Sequence, residues 1–283
     1  MPIATLGTVQ LTYLDEGAGP AVVLLHGLGS QSEDWLFQTP VLAREYRVLA
    51  PNLRGHVGSS PVRGPVSVFS LAADVAQWLE TLNVEAAHIV GLSLGGLVAQ
   101  ELAINFPQRV KRLVLCNTFA HLWPTSIGEA GILGRRLIAS TLLPMATTAR
   151  IVATDLFPRP DQAAIRAAVL ERVGGNDLSS YRYLIRAIRR FDSRAQLTRI
   201  QAPTLLITGD RDNVIPRGCQ QQLVRGIRNI KWQIVRDSGH ATPIDQPEEF
   251  NRLVLNFLWD EDTGLRDENP AAPSTFIPKP SSL

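Results

Sequence analysis

His88-Ile89-Val90-Gly91-Leu92-Ser93-Leu94-Gly95-Gly96-Leu97-Val98-Ala99-Gln100 decides the fold, because here a β-branched run is followed by a glycine-rich turn and an apolar helix. Ser93 lies in the turn, with Gly91 two residues before it and Gly95 two residues after it. A strand-to-helix turn this tight leaves room only for small residues at those two positions. Ser93 would therefore lie at the N-terminus of the helix, where free N–H groups and the helix dipole favour a developing negative charge.

The same short pattern also fits an ordinary turn between a strand and a helix, so its context decides between the two. Residues 85–90 are predicted to form the strand that enters the turn. The apolar helix continues through Leu97 and Leu102, and Pro107 ends it. This context favours a nucleophile elbow, and a reactive serine also requires a base, an acid and donors for an oxyanion elsewhere in the chain.

Composition is typical of a globular protein. A chain of 283 residues can form one large α/β domain with an insertion, or two modest domains. The formal charge of +2 is too small to indicate a nucleic-acid or membrane-surface partner. We find no signal peptide and no apolar run that would span a bilayer, so we expect a cytoplasmic protein. Cys116 and Cys219 are then expected to be free thiols in a reducing compartment.

Strands and helices alternate in both halves of the chain. The pattern of residues 4–15 predicts an antiparallel hairpin. Residues 21–25 are apolar on both faces, as in a central strand covered by helices on both sides. Further strands are predicted at residues 46–50, 109–117, 202–209 and 231–235, and helices at 35–44, 71–82 and from 247 onward. Alternation at this spacing predicts an α/β fold with a mostly parallel sheet flanked by helices.

The alternation stops between residues 118 and 198, where the spacing is helical and Gly and Pro interrupt it. We interpret residues 118–198 as a helical cap inserted into an α/β core formed by residues 1–117 and 199–260. Residues 261–283 are predicted to be a disordered tail. The cap is rich in arginine; most of these side chains are expected on solvated helix faces, while one or two could turn inward to bind a substrate carboxylate.

Loops that follow strands contain the remaining candidate groups. Because a His-Gly pair follows the strand at 21–25, we expect the N–H groups of Leu28 and Leu94 to bind a substrate oxyanion. We expect His26 to have a structural role, bonded to nearby backbone. His56 also favours a structural role, since no carboxylate lies near it in sequence. Because ligands bind at the carboxyl edge of parallel sheets, the loops that follow residues 209 and 235 should approach Ser93.

The chain resembles the α/β-hydrolases over about residues 13–258. The motifs that carry the resemblance are His26-Gly27-Leu28-Gly29, Leu53-Arg54-Gly55-His56, Gly91-Leu92-Ser93-Leu94-Gly95-Gly96, Gly209-Asp210-Arg211-Asp212 and Gly239-His240. The resemblance implies Ser93 as nucleophile and His240 as base. It also implies Asp212, the fourth residue of its loop motif, as the acid that orients the base, in preference to Asp210; Asp237 is expected to be a surface or turn carboxylate.

The sequence departs from the family pattern in one loop. Asn52 stands where the family usually has an aspartate and Val57 where it has a glycine, and we expect altered loop packing without loss of catalysis. A serine at position 93 also differs from haloalkane dehalogenases and epoxide hydrolases, which resemble this fold but have an aspartate at the elbow.

The implied chemistry is acyl transfer, in which the histidine takes the proton of the serine and the carboxylate fixes the imidazole tautomer. We therefore expect hydrolysis of a small carboxylic ester, with no metal and no cofactor. Residues 91–100 and 112–118 are similar to 3-oxoadipate enol-lactonases and related carboxylesterases, so hydrolysis of an enol-lactone or of a C–C bond is the alternative. Two further hypotheses stay open: a ligand-binding receptor on a hydrolase scaffold, and a cofactor-free perhydrolase.

Overall fold

A sheet of eight strands forms the centre of the protein. The computed structural model describes residues 1–124 and 127–259, apart from the side chains of residues 132, 136 and 137. The strands are β1 (Ile3–Leu6), β2 (Val9–Glu16), β3 (Ala21–Leu25), β4 (Arg47–Pro51), β5 (Ala87–Leu92), β6 (Val110–Cys116), β7 (Thr204–Gly209) and β8 (Ile230–Val235). Their order is β1-β2-β4-β3-β5-β6-β7-β8. The pairs β1–β2 and β2–β4 are antiparallel and the other neighbours are parallel, which confirms the predicted α/β sheet.

Helices cover both faces of this sheet. Those of the core are α1 (Thr39–Leu42), α2 (Val68–Thr81), α3 (Leu94–Asn105), α8 (Arg217–Gly226), α9 (Thr242–Asp245) and α10 (Pro247–Leu258), and those between β6 and β7 are α4 (Ile127–Leu142), α5 (Met145–Leu156), α6 (Ala163–Gly174) and α7 (Leu178–Arg190). Because side chains alternate along a strand, Val23 packs in one apolar cluster with α2 and α3, whereas Val22 packs in another with α10. None of the described helices is both long enough and apolar enough to cross a bilayer.

The predicted helix at 35–44 is wrong. The chain forms a single 3₁₀ turn at Ser32–Trp35 and then the short helix α1. Pro40 lies in the first turn of α1, where its missing N–H is tolerated. The same proline cannot donate to a carbonyl four residues earlier, so a continuous helix from Trp35 is interrupted there.

We call residues 127–190, which contain α4 to α7, the insert. One of its apolar clusters is formed by Met145, Ala149, Val173 and Tyr181. The end of α7 returns to the core, since Leu184 and Ala187 belong to the large apolar cluster under α2 and α3. The division into a core and a cap stays a prediction, and the predicted tail at 261–283 lies outside the described residues.

Candidate active site

Ser93 lies between β5 and α3, in a backbone conformation that L-residues rarely adopt, with φ 54° and ψ −114°. Gly91 and Gly95 permit this turn, because a Cβ on Gly91 would overlap the backbone of Gly95, and a Cβ on Gly95 would overlap the Leu25 carbonyl. The N–H of Ser93 donates to the Cys116 carbonyl over 3.0 Å. The surrounding strands therefore fix the strained turn in place.

His240 lies in the loop after β8, and its Nδ1 is 3.1 Å from both carboxylate oxygens of Asp212. Both side chains are shielded from solvent, with exposures of 7% for His240 and 2% for Asp212. The Asp212 Oδ1 also accepts from the N–H groups of Val214 at 2.8 Å and Ile215 at 3.1 Å. With a carboxylate as acceptor, the neutral imidazole keeps its proton on Nδ1 and leaves Nε2 free to act as a base.

The two competing carboxylates lie away from His240. Asp210 is exposed and accepts a hydrogen bond from the N–H of Ser238 at 3.2 Å. Asp237 is also exposed and forms an ion pair with Arg211. Of the carboxylates in these two loops, the structure therefore brings Asp212 to the imidazole.

Two backbone N–H groups are available beside the serine. Leu28 and Leu94 line the same cavity as Ser93 and His240. Across residues 1–124 and 127–259, neither of these N–H groups donates a backbone hydrogen bond. The N–H of Leu94 is one of the free donors at the N-terminus of α3, where a negative charge is favoured.

His26 and His56 contact backbone groups, as expected for structural histidines. The N–H of Leu53 donates to His26 Nε2, and the N–H of Gly29 donates to His56 Nε2, each over 3.0 Å. Burial lowers the pKa of His26 to about 4, and burial together with the neighbouring His26 lowers that of His56 to about 3. Both imidazoles are therefore neutral acceptors at neutral pH, and they hold two loops of the site.

Both polar atoms of the Asn52 side-chain amide form hydrogen bonds inside the core. Its Oδ1 accepts from the N–H of Ser32 at 2.7 Å, and its Nδ2 donates to Thr12 Oγ1 at 2.8 Å. An aspartate could accept but could not donate, so the amide suits this fully buried position. Asn52 thus joins β4 to the loop after β3 without entering the cavity.

Asn117, which the sequence analysis did not single out, connects the loops that contain Asp212 and His240. This fully buried side chain follows β6. Its Oδ1 accepts from the N–H of Gly209 at 2.9 Å, and its Nδ2 donates to the His240 carbonyl at 2.7 Å and to Thr242 Oγ1 at 2.8 Å. The available signal was its position at the carboxyl end of a buried strand, where polar residues often belong to the site.

A cavity of about 230 Å³ lies beside Ser93. Its apolar wall comes from the elbow region and from each helix of the insert, and includes Leu97, Phe119, Leu133, Ile151, Val152, Val169, Val173, Ile185 and Ile188. In the wall, Asp34 and Arg172 form an ion pair with each other. The insert arginine Arg189 also lines the cavity, and its side chain is exposed.

The described residues contain no group of three or more His, Cys, Asp or Glu side chains that could hold a metal ion. Cys116 and Cys219 are buried and free. Burial raises the pKa of both thiols, so neither is a ready nucleophile. Among the described side chains of this cavity, Ser93 and His240 are therefore the candidate nucleophile and base.

The chain is similar to known proteins over most of its length. The alpha/beta hydrolase family matches residues 22–253. A putative carbamate hydrolase, RutD, from Stutzerimonas stutzeri is 32% identical over 252 residues, which cover 86% of this chain and 93% of that protein. The crystal structure of a hydrolase from Pseudomonas aeruginosa superposes with a TM-score of 0.81 at 32% identity, covering 90% of this chain and 98% of that one. The enol-lactonase from Burkholderia xenovorans gives a TM-score of 0.83 at 26% identity, with coverages of 91% and 99%. This chain therefore belongs to the alpha/beta hydrolase family.

Proposed function

We propose that this protein is a serine hydrolase that cleaves carboxylic esters of small apolar molecules. One observation carries the proposal: Ser93, in its strained turn, lines the same apolar cavity as His240, which is paired with the buried Asp212. The N–H groups of Leu28 and Leu94 support it, because both residues line this cavity and neither N–H donates a backbone hydrogen bond among the described residues, so both are open to a substrate oxygen.

In the first half of the proposed reaction, Ser93 Oγ attacks the carbonyl carbon of the ester while His240 Nε2 takes the hydroxyl proton. The carbonyl oxygen becomes an oxyanion, which the N–H groups of Leu28 and Leu94 stabilise. When the tetrahedral intermediate collapses, the C–O bond to the alcohol breaks and the imidazolium of His240 gives its proton to the departing alkoxide. Asp212 stabilises the imidazolium during this step.

In the second half, water attacks the acyl-enzyme and His240 takes one of its protons. Collapse of the second tetrahedral intermediate breaks the bond to Ser93 Oγ, and His240 returns the proton to the serine. The products are one carboxylic acid and one alcohol, and the enzyme is regenerated without any cofactor.

The cavity wall supports an apolar substrate. Because Asp34 and Arg172 pair with each other, their charges are neutralised within the wall. Each methylene that the substrate buries would contribute about 0.8 kcal/mol, so lengthening the acyl chain should lower KM until the cavity of about 230 Å³ is full. A lactone, which is a cyclic ester, fits the same chemistry.

Carbamate hydrolysis is a second candidate, favoured by the relatives that are named putative carbamate hydrolases. A carbamate offers its carbonyl carbon to the same nucleophile, and the exposed Arg189 could hold a carboxylate of such a substrate at the cavity wall. We also propose a cytoplasmic location, which the two buried free thiols support.

The test compares wild type and Ser93→Ala on p-nitrophenyl esters from acetate to octanoate, on a γ-lactone and on an N-alkyl carbamate. We expect ester turnover in wild type and a loss of several orders of magnitude in the variant. A selective rate on the carbamate would favour the second candidate. No turnover of any substrate by folded wild type, together with no labelling of Ser93 by a fluorophosphonate, would contradict the serine mechanism and leave ligand binding without turnover.

A further inference from the structure

The insert contacts the loop that contains Leu28 through Asn176, which follows α6. The Nδ2 of Asn176 donates to the Gly29 carbonyl over 3.1 Å, while the N–H of Gly29 donates to His56 from the other side. Gly29 has a φ of +77°, and a Cβ at this position would lie only 3.2 Å from the ring of Tyr181 on α7. The residue next to the proposed oxyanion donor is therefore held between the core and the insert.

Gln162, which immediately precedes α6, connects the insert to the His240 loop through Asp245 of α9. The Nε2 of Gln162 donates to Asp245 Oδ1 at 2.7 Å, and the N–H of Gly239 donates to Asp245 Oδ2 at 2.8 Å. Gly239 adjoins His240 in sequence. Gln162 and Asn176 are both buried, so neither contact is exchanged readily for contacts with water.

These two contacts lie at opposite ends of one helix. The 12 residues of α6 span about 18 Å, and Val169 and Val173 of this helix line the cavity. We propose that α6 is a strut that sets the distance between the Leu28 loop and the His240 loop. Asn176 and Gln162 are then positioning residues for the reaction, and the insert completes the active site in addition to covering it.

The proposal rests on the proposed hydrolase function, and a purely structural role is its alternative. Asn176 Nδ2 also approaches the carbonyls of Arg172 at 3.0 Å and Val173 at 3.3 Å, which are contacts that end a helix. Gln162 Oε1 likewise accepts from the N–H of Arg159 at 3.1 Å. If these were their only roles, substitution would lower Tm but would leave kcat per folded site unchanged.

The experiment measures kcat and KM for p-nitrophenyl butyrate in Asn176→Ala, Gln162→Ala and the double variant, with sites counted by fluorophosphonate titration. Ser180→Ala is the matched control. Ser180 is a buried residue of the insert. Its Oγ accepts from the N–H of Val62 at 2.9 Å, and Val62 lies in neither the Leu28 loop nor the His240 loop. Tm is recorded for every variant, so that losses of folded protein are separated from losses of rate.

We expect each single variant to lower kcat about 10-fold with KM within about twofold, because a loosened donor or base costs less than the 10²–10³-fold of a deleted oxyanion donor. The double variant should be no more than about threefold below either single one, since both residues act through the position of the same helix. Ser180→Ala should keep kcat within about twofold.

A multiplicative loss of about 100-fold in the double variant would overturn the strut, and so would single variants whose kcat matches that of Ser180→Ala. Failure of the hydrolase proposal itself would look different, because wild type would then show no turnover and no titratable serine.

Discussion

At the scale of single residues, the chemistry depends on which carboxylate reaches the histidine. We expect Asp212→Asn to lower kcat on p-nitrophenyl esters by roughly 10⁴-fold, because the amide favours the wrong imidazole tautomer and cannot stabilise the imidazolium. Asp210→Asn is the matched control, since Asp210 is exposed two residues away, and it should keep kcat within about twofold. Equal losses in the two variants would show that Asp212 has no special role.

The proposed reactive residues could be predicted from sequence, but the residues that hold them could not. Ser93 and Asp212 lie in short motifs, whose spacing is visible locally. Asn117 makes its contact with His240 across 123 positions, and Gln162 reaches Asp245 across 83. A single polar residue whose partner is so distant leaves no periodicity or motif, so only the folded chain reveals it.

At the scale of elements, the close approach of α3 to β3 forms the elbow. We expect Gly95→Ala to lower the free energy of unfolding by roughly 2–3 kcal/mol, because its Cβ would overlap the Leu25 carbonyl and neither backbone can move freely. Gly131→Ala on α4 is the matched control: nothing lies within 4 Å of its added Cβ, so a gain of about 0.5–1 kcal/mol is expected. Urea denaturation measures both, and a change of the same sign in the two variants would contradict this account.

Strands were predicted more reliably than short helices. A buried parallel strand such as β3 must be apolar on both faces, and that pattern is visible in five residues. The predicted helix at 35–44 has suitable apolar spacing, but Pro40 limits it to one turn. The predicted start of α2 at residue 71 is also late. Ser67, whose Oγ accepts from the N–H of Ser70, caps the helix before its apolar face becomes regular.

At the scale of the whole molecule, two buried histidines are expected to lower stability in acid. The pKa of His26 is lowered to about 4 and that of His56 to about 3, both from 6.5, mainly because burial disfavours the charged form. Between about pH 4 and 6.5 these two histidines therefore bind more protons in the unfolded chain than in the folded one. The contribution of these histidines to the free energy of unfolding is complete above pH 6.5. It is lost as the pH falls, by about 1.4 kcal/mol per pH unit for each histidine.

Asp74 acts in the opposite direction, because burial raises its pKa from 3.8 to about 6 and the folded state takes up a proton as the pH falls through that value. We expect Asp74→Asn to steepen the fall of Tm between pH 6 and pH 4, because the stabilising proton uptake by Asp74 in the folded state is removed. Asp161→Asn, at a mostly exposed carboxylate, is the control and should leave the slope unchanged. Calorimetry at several pH values tests both variants. The same slope of Tm against pH in Asp74→Asn and wild type would contradict the raised pKa of Asp74.

The insert leaves the core at the end of β6 and returns at the start of β7, and these two strands are neighbours in the sheet. Its sequence can therefore diverge, lengthen or shorten while the sheet and the loops that contain Ser93 and Asp212 keep their places. New substrate preferences can arise in this way within a lineage that keeps one chemistry. The ends of α6 set a limit on that freedom, because a descendant that replaces this helix must also replace the contacts that Asn176 and Gln162 make with the core.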